Sequence, residues 1–231
     1  METPDLLSLT FFRPFSAQAV APLVAAARWR SYEAGQTVLE AGDDAPEVYL
    51  VVQGTLRVTT RSVGGHEIIL NELGPNALFG EIAAIDGAKR SAGIVALTKT
   101  QLCAIAAGPF MEFALSTRQA ALHLMKTLAA LVREKDQRIF ELSVLATRPR
   151  LIALLLRLAR PRKAAGMIVS PSRPHHELAA MIGTRREVVT RALAGLQRDG
   201  LLEPARGGLI LPRPEALRAE LAAAWANAPA R

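Results

Sequence analysis

Among 231 residues there is a single cysteine, Cys103. An internal disulfide is therefore excluded, and so is an iron–sulfur cluster held by the usual four thiolates. Its apolar setting, Leu102-Cys103-Ala104-Ile105, marks it as a small core residue. Long hydrophobic runs are missing too. No apolar stretch approaches the roughly 20 residues that span a bilayer, and Met1-Glu2-Thr3-Pro4-Asp5 lacks the basic lead-in of a secretory signal. A cytoplasmic protein with no membrane partner is expected. The sequence has no nucleophile elbow, phosphate loop or metal motif, so no catalysis and no metal or covalent cofactor are expected. Glycine is absent between Gly108 and Gly166, a gap that favours long helix over hairpins.

What is present is unevenly distributed. Half of the residues are hydrophobic, enough for two cores. Residues 1–145 carry 13 Lys and Arg against 15 Asp and Glu, whereas residues 146–231 carry 15 against 6. A C-terminal half so basic has the electrostatic footprint of a domain that binds a polyanion.

Residues 5–27 read as one or two short helices broken by Pro14 and Pro22. From Trp29 to about Ile105, short alternating apolar runs are punctuated by glycines, as in a β-roll or barrel, and Gly64-Gly65 suits a hairpin turn. A long helix follows at roughly 110–140. Leu122, Met125, Ala129, Val132 and Ile139 recur on it at 3–4 spacing, and Leu124, Leu128, Leu131 and Leu142 form an adjacent seam. Two seams imply two apolar contacts, one with a partner helix and one with the body of the roll. A hinge is expected at 142–149. Beyond it come an apolar helix from Leu151 to Ala159, a loop at Pro161–Gly166, a strand at Met167–Val169, two short helices, a two-stranded wing turning at Gly207-Gly208, and a helical alanine-rich tail from Pro214.

The segment Phe79-Gly80-Glu81-Ile82-Ala83-Ala84-Ile85-Asp86-Gly87-Ala88-Lys89-Arg90-Ser91-Ala92 carries chemistry. Gly80 lets a ligand approach the backbone, and residues 81–86 can form a short helix with its amides free for an anion. Arg90 offers a planar fork and Ser91 a hydroxyl to a phosphate. Glu81 repels phosphate but accepts from a neutral hydroxyl. A 3′,5′-cyclic nucleotide presents this pair, one phosphate charge beside a free ribose 2′-hydroxyl. The competing reading is a Glu81–Arg90 ion pair that closes a loop.

In the second segment, His176-Glu177-Leu178-Ala179-Ala180-Met181-Ile182 runs to a turn at Gly183, and Thr184 is expected to start a second helix with Glu187 completing a capping box. Val189, Ala192, Leu193 and Leu196 point inward, while Arg186, Glu187, Thr190 and Arg191 point outward. Arg pairs bidentately with guanine and Glu accepts from cytosine, so this face suits the major groove. For Glu187 the alternatives are the cap alone or an i,i+4 pair with Arg191.

Tyr32-x-x-Gly35, Gly42-Asp43, Tyr49-x-Val51-x-x-Gly54, Gly80-Glu81 through Arg90-Ser91-Ala92, and Leu-Ala-x-x-Ile-Gly-Thr-x-Arg-Glu-x-Val-x-Arg together resemble the cyclic AMP receptor / fumarate-nitrate reduction (Crp-Fnr) family over nearly the whole chain. The resemblance implies an α+β chain: an N-terminal β-roll cyclic-nucleotide-binding domain with a long dimerisation helix (1–141, helix about 110–141), then a C-terminal winged helix-turn-helix (142–231). It implies that Gly80, Arg90 and Ser91 hold the phosphate and Glu81 the ribose. Lys135 and Asp136 fall at the family's purine-contacting positions, where a Thr is usual for the first. Arg185, Arg186, Glu187, Thr190, Arg191, His175 and His176 would meet DNA, Arg185 at phosphate. The four histidines, His66 and His123 among them, show no haem-ligand spacing.

The expectation is a homodimeric regulator that binds a palindromic operator on double-stranded DNA under control of a cyclic nucleotide, with RNA polymerase as a further partner. Cyclic AMP ranks first on family frequency. Cyclic GMP, or a response to both, follows closely, because Lys135 can only donate and Asp136, ionised, only accepts. The same fold answering to cyclic di-GMP or to no ligand is one alternative, and a cyclic-nucleotide module regulating an enzyme is another.

Overall fold

The computed structural model describes residues 6–44, 46–61, 67–162 and 166–227. The chain forms two compact units, residues 1–130 and 131–231. The Gly64-Gly65 turn and His66 lie outside the described residues.

In the first unit a 3-10 turn (Leu6–Ser8) and helix α1 (Ala17–Ala26) precede strands β1 (Arg28–Tyr32), β2 (Thr37–Leu39), β3 (Glu47–Gln53), β4 (Leu56–Arg61), β5 (Glu67–Leu73) and β6 (Leu78–Phe79). Helix α2 (Glu81–Asp86), strands β7 (Gly93–Ala96) and β8 (Thr100–Ala106), helix α3 (Ala107–Ser116) and helix α4 (Arg118–Val144) follow. The strands make two antiparallel sheets, ordered β1-β8-β3-β6 and β2-β7-β4-β5. The period of two along β3 explains two separate cores. Val48 and Leu50 join α1, α3 and Cys103 in an outer cluster, and Tyr49 and Val51 join Leu56, Phe79 and Leu102 inside the roll. Burial pushes the Cys103 thiol up to about 12, as befits a packed core residue.

Two expectations fail here. Pro22 does not break a helix. It sits inside α1, which Ser16 caps by accepting from Ala19 N–H and which Val20 and Leu23 anchor by burial. The lost bond to Gln18 is outweighed by that packing. The helix expected at roughly 110–140 is two helices, parted at Thr117, whose backbone is extended (φ −142°, ψ 154°) and whose hydroxyl accepts from Ala120 N–H at 3.1 Å. A threonine that caps the following turn ends one helix and starts the next without Gly or Pro.

The second unit holds the C-terminal part of α4, then α5 (Thr147–Leu158), β9 (Arg160–Pro161), β10 (Met167–Val169), α6 (His175–Met181), α7 (Arg186–Arg198), β11 (Glu203–Ala205), β12 (Gly208–Leu211) and α8 (Pro214–Ala226). The expected two-stranded wing is the β11–β12 edge of a four-stranded sheet ordered β11-β12-β10-β9. Arg160 and Pro161, the latter assigned to a loop from sequence, pair with β10. Leu151, Ile152, Leu155, Leu178, Val189 and Leu196 are fully buried. The alanine-rich tail is part of this unit. Trp225 stacks on Phe140 at 5.1 Å, and Glu220 receives both Nε and Nη2 of Arg148, which also pairs with Asp199 at 2.7 Å. No helix among the described residues is long and apolar enough to cross a membrane.

Candidate functional site

Gly80 caps α2 in the left-handed region (φ 84°), and Gly87 closes it likewise (φ 70°). Both positions favour glycine, so the sequence dictates a short helix isolated between two reversals. Gly80 has a second reason: a Cβ there would lie 2.5 Å from Arg90 Nη1 and 3.1 Å from the Glu47 carbonyl oxygen. The Arg90 backbone is pinned to the Gly42-Asp43 turn, donating to Asp43 O at 2.9 Å and accepting from Gly42 N–H at 2.8 Å. Its guanidinium turns inward and donates to Gly80 O (3.1 Å) and Glu47 O (2.5 Å).

Arg90 and Glu81 are each only 5% exposed, yet among the described residues they form no ion pair with each other, so the loop-closing alternative fails. Burial lowers the Arg90 pKa against the pull of its neighbours, and burial raises that of Glu81, partly offset by its own amide and by Arg90. Arg90 Nε is buried with no hydrogen-bond partner among the described residues. A buried cation with an orphaned N–H, packed against a glycine that leaves it room, fits an anionic ligand. Ser91 is exposed on the following bend. Lys135 (half-buried) and Asp136 (exposed) lie on α4 within the second unit.

Sequence reasoning missed the groups around Arg90. The Glu47 carboxylate accepts from Arg30 Nη2 at 2.5 Å and from the Tyr49 hydroxyl at 2.6 Å. The Arg30 and Arg90 guanidinium carbons lie 6.0 and 5.7 Å from the Tyr49 ring centroid. Arg28, Arg30, Asp44, Glu47 and Tyr49 line a cleft of about 640 Å³. The available signal was the alternation of Arg28 and Arg30 on one strand and of Glu47 and Tyr49 on another.

In the second unit Arg185, Arg186, Glu187, Thr190, Arg191 and His176 are exposed, and His175 is half-buried. Val189, Leu193 and Leu196 are buried beneath them and Ala192 is half-buried. The helix begins two residues later than expected. Gly183 is left-handed (φ 63°) and Thr184 N–H reaches back to Ala179 O at 3.0 Å. Thr184 thus completes the Schellman closure of α6 and falls one residue before the N-cap position of α7. Arg185 is the N-cap residue, with no side-chain cap bond. Glu187 makes neither the box nor a pair with Arg191 among the described residues, so its carboxylate faces solvent. Thr190 donates to Arg186 O at 3.0 Å, and its oxygen lies 2.8 Å from His175 Nδ1.

The family model described as a cyclic nucleotide-binding domain matches residues 29–117, and that described as a Crp-like helix-turn-helix domain matches residues 149–220. The cyclic AMP receptor protein of Thermus thermophilus is 35% identical over 193 residues, which cover 84% of this chain and 87% of that protein. The chain belongs to the Crp/Fnr family. It is a DNA-binding transcription regulator that carries a cyclic nucleotide-binding domain. A CRP/FNR-family transcriptional regulator from the same organism aligns over 85% of this chain and 98% of its own (TM-score 0.69, 27% identity). FixK2 from Bradyrhizobium japonicum shares the fold, over 84% of this chain and 96% of its own (TM-score 0.74, 22% identity). Within this Crp/Fnr regulator, Arg90 and Glu81 fall inside the nucleotide-binding match and Arg185 to Arg191 inside the helix-turn-helix match.

Proposed function

We propose that this Crp/Fnr regulator is a homodimer whose occupancy of a palindromic operator is set by a cyclic nucleotide, cyclic AMP ahead of cyclic GMP. The observation that carries this reading is Arg90, buried, with an orphaned Nε and no carboxylate partner, beside the equally buried Glu81. Gly80, Arg90 and Ser91 hold the phosphate. Glu81 accepts from the ribose 2′-hydroxyl, a neutral donor that satisfies the carboxylate without competing for Arg90. Lys135 and Asp136 meet the base. Cyclic AMP is favoured by the relative named a cyclic AMP receptor protein. Lys135 supports the second reading, since an ammonium complements guanine O6.

Assembly rests on α4, where Leu122, Met125, Val132 and Ile139 are 44, 57, 57 and 61% exposed along one 3–4 seam. A seam this apolar is covered by its own copy about a two-fold axis. The sensor then runs through residue 141, with the DNA-reading part beyond. Arg186, Glu187 and Arg191 read base edges, Arg185, His175 and His176 meet the backbone, and Thr190 orients His175. RNA polymerase is the further partner of a regulator of this kind. Calorimetry of the full chain against cyclic AMP, cyclic GMP and cyclic di-GMP tests the reading. Saturable binding of cyclic AMP at one site per chain is expected. Binding of cyclic di-GMP alone, or of none of the three, contradicts it.

A further inference from the structure

Arg90 is not the only cation at the mouth of the roll. Arg30 on β1 also lies near the Tyr49 ring, 6.0 Å from its centroid against 5.7 Å for Arg90, and Glu47 bonds to both guanidiniums. Glu47 has two connections to this cluster. Its carbonyl oxygen holds Arg90 Nη2 at 2.5 Å, and its carboxylate is drawn to Arg30 (2.5 Å) and the Tyr49 hydroxyl (2.6 Å). The Glu47 side chain is only 13% exposed, so a carboxylate released from Arg30 would not simply escape to water. The guanidinium that the Glu47 carbonyl already holds, that of Arg90, carries a buried Nε with no partner among the described residues.

We propose that Arg30 is a positioning residue for nucleotide recognition: it holds the Glu47 carboxylate away from Arg90, so that the anion Arg90 meets is the ligand phosphate and not an internal one. The inference rests on the reading of Arg90 as the phosphate partner. With the Glu47 carboxylate held by Arg30, and Glu81 forming no ion pair with Arg90 among the described residues, the Arg90 charge is left for an incoming phosphate to meet. If Glu47 turned to Arg90, the phosphate would have to displace a charge-assisted contact before forming its own. Tyr49 supports the arrangement. Its hydroxyl fixes the second carboxylate oxygen, and its phenol is held protonated by burial and by the bond to Glu47.

The test is calorimetry of the full chain with cyclic AMP. Arg30→Met is expected to bind at least about tenfold more weakly, the cost of one charge-assisted contact formed by the competitor. Glu47→Gln is expected to bind about threefold more tightly, because the Glu47 charge no longer offsets that of Arg90. The Arg30→Met/Glu47→Gln pair is expected to return to within about threefold of the parent, since the competitor is gone. Arg28 lines the same cleft and makes no ion pair among the described residues. Arg28→Met controls for loss of positive field and should change affinity less than about threefold. Parental affinity in Arg30→Met, or a double variant no better than Arg30→Met, overturns the inference while leaving the function intact. A parent protein that binds no cyclic nucleotide overturns the proposed function, and this inference with it.

Discussion

Replacing Arg90 by leucine separates a phosphate-binding role from a structural one. The guanidinium satisfies two carbonyls, Gly80 O and Glu47 O, at the cost of being almost entirely desolvated. Arg90→Leu therefore has opposing effects on the fold. Two acceptors lose a donor at about 1–3 kcal/mol each if no water replaces it, while the penalty of a buried cation disappears. The melting temperature is expected to move little. Binding has no such compensation. A charge-assisted contact to phosphate contributes roughly 1.5–3 kcal/mol, so affinity should fall roughly tenfold to 150-fold. Arg90→Lys keeps the charge but lacks the fork that spans two acceptors, and should fall between parent and leucine variant. The assay is calorimetry with cyclic AMP, alongside thermal melts of each unliganded variant. Leucine and parent proteins binding within about threefold of each other would refute the reasoning.

Burial raises the Glu81 pKa, so the folded state holds its proton more tightly than the unfolded chain, and the residue's stability contribution falls as pH rises above the ordinary carboxylate range. Glu81→Gln should accordingly melt higher than the parent at pH 8, and the gain should vanish on acidification to below pH 4; a constant difference across that range would contradict this. A 2′-deoxy analogue of cyclic AMP should bind the parent about tenfold more weakly through the lost hydroxyl contact to Glu81. Met125→Glu with Val132→Glu places like charges in the exposed α4 seam, and sedimentation should show monomers with no operator binding; a persisting dimer would move the interface elsewhere. Arg186→Ala should cost about 1–3 kcal/mol and relax choice at one base pair, whereas Arg185→Ala should weaken binding to all sequences and flatten the salt dependence. Equal loss of specificity in both would contradict that division of roles.

The parts legible in the sequence were those fixed by local rules. Gly80 and Gly87 bracket α2 because each adopts a backbone that other residues resist, and the wing turns at Gly207 (φ 77°) for the same reason. The inward stripe of α7 followed from its 3.6 period. The misses share a cause, competition between a local signal and packing or neighbouring closures. Pro22 carries the local signal of a breaker, but the burial of Val20 and Leu23 overrides it. Thr184 carries the signal of a cap, but the turn that closes α6 takes it in, and α7 begins only at Arg186 with Arg185 at the cap position. The alternation of Arg28 and Arg30 names no partner, because Glu47 and Tyr49, which Arg30 meets, come from another strand. The tail had no visible purpose because its partners, Phe140 and Arg148, lie far away along the chain.

One small ligand is expected to control DNA occupancy. The direct measurement is fluorescence anisotropy of a labelled palindrome with two TGTGA half-sites, the half-site suggested by the family resemblance, spaced one helical turn apart. It is titrated with the full chain at fixed salt, without nucleotide and with saturating cyclic AMP or cyclic GMP. At least about tenfold tighter binding is expected with cyclic AMP, corresponding to a coupling free energy of about 1.4 kcal/mol, and no gain in Arg90→Leu. Operator affinity that is the same with and without either nucleotide would contradict it.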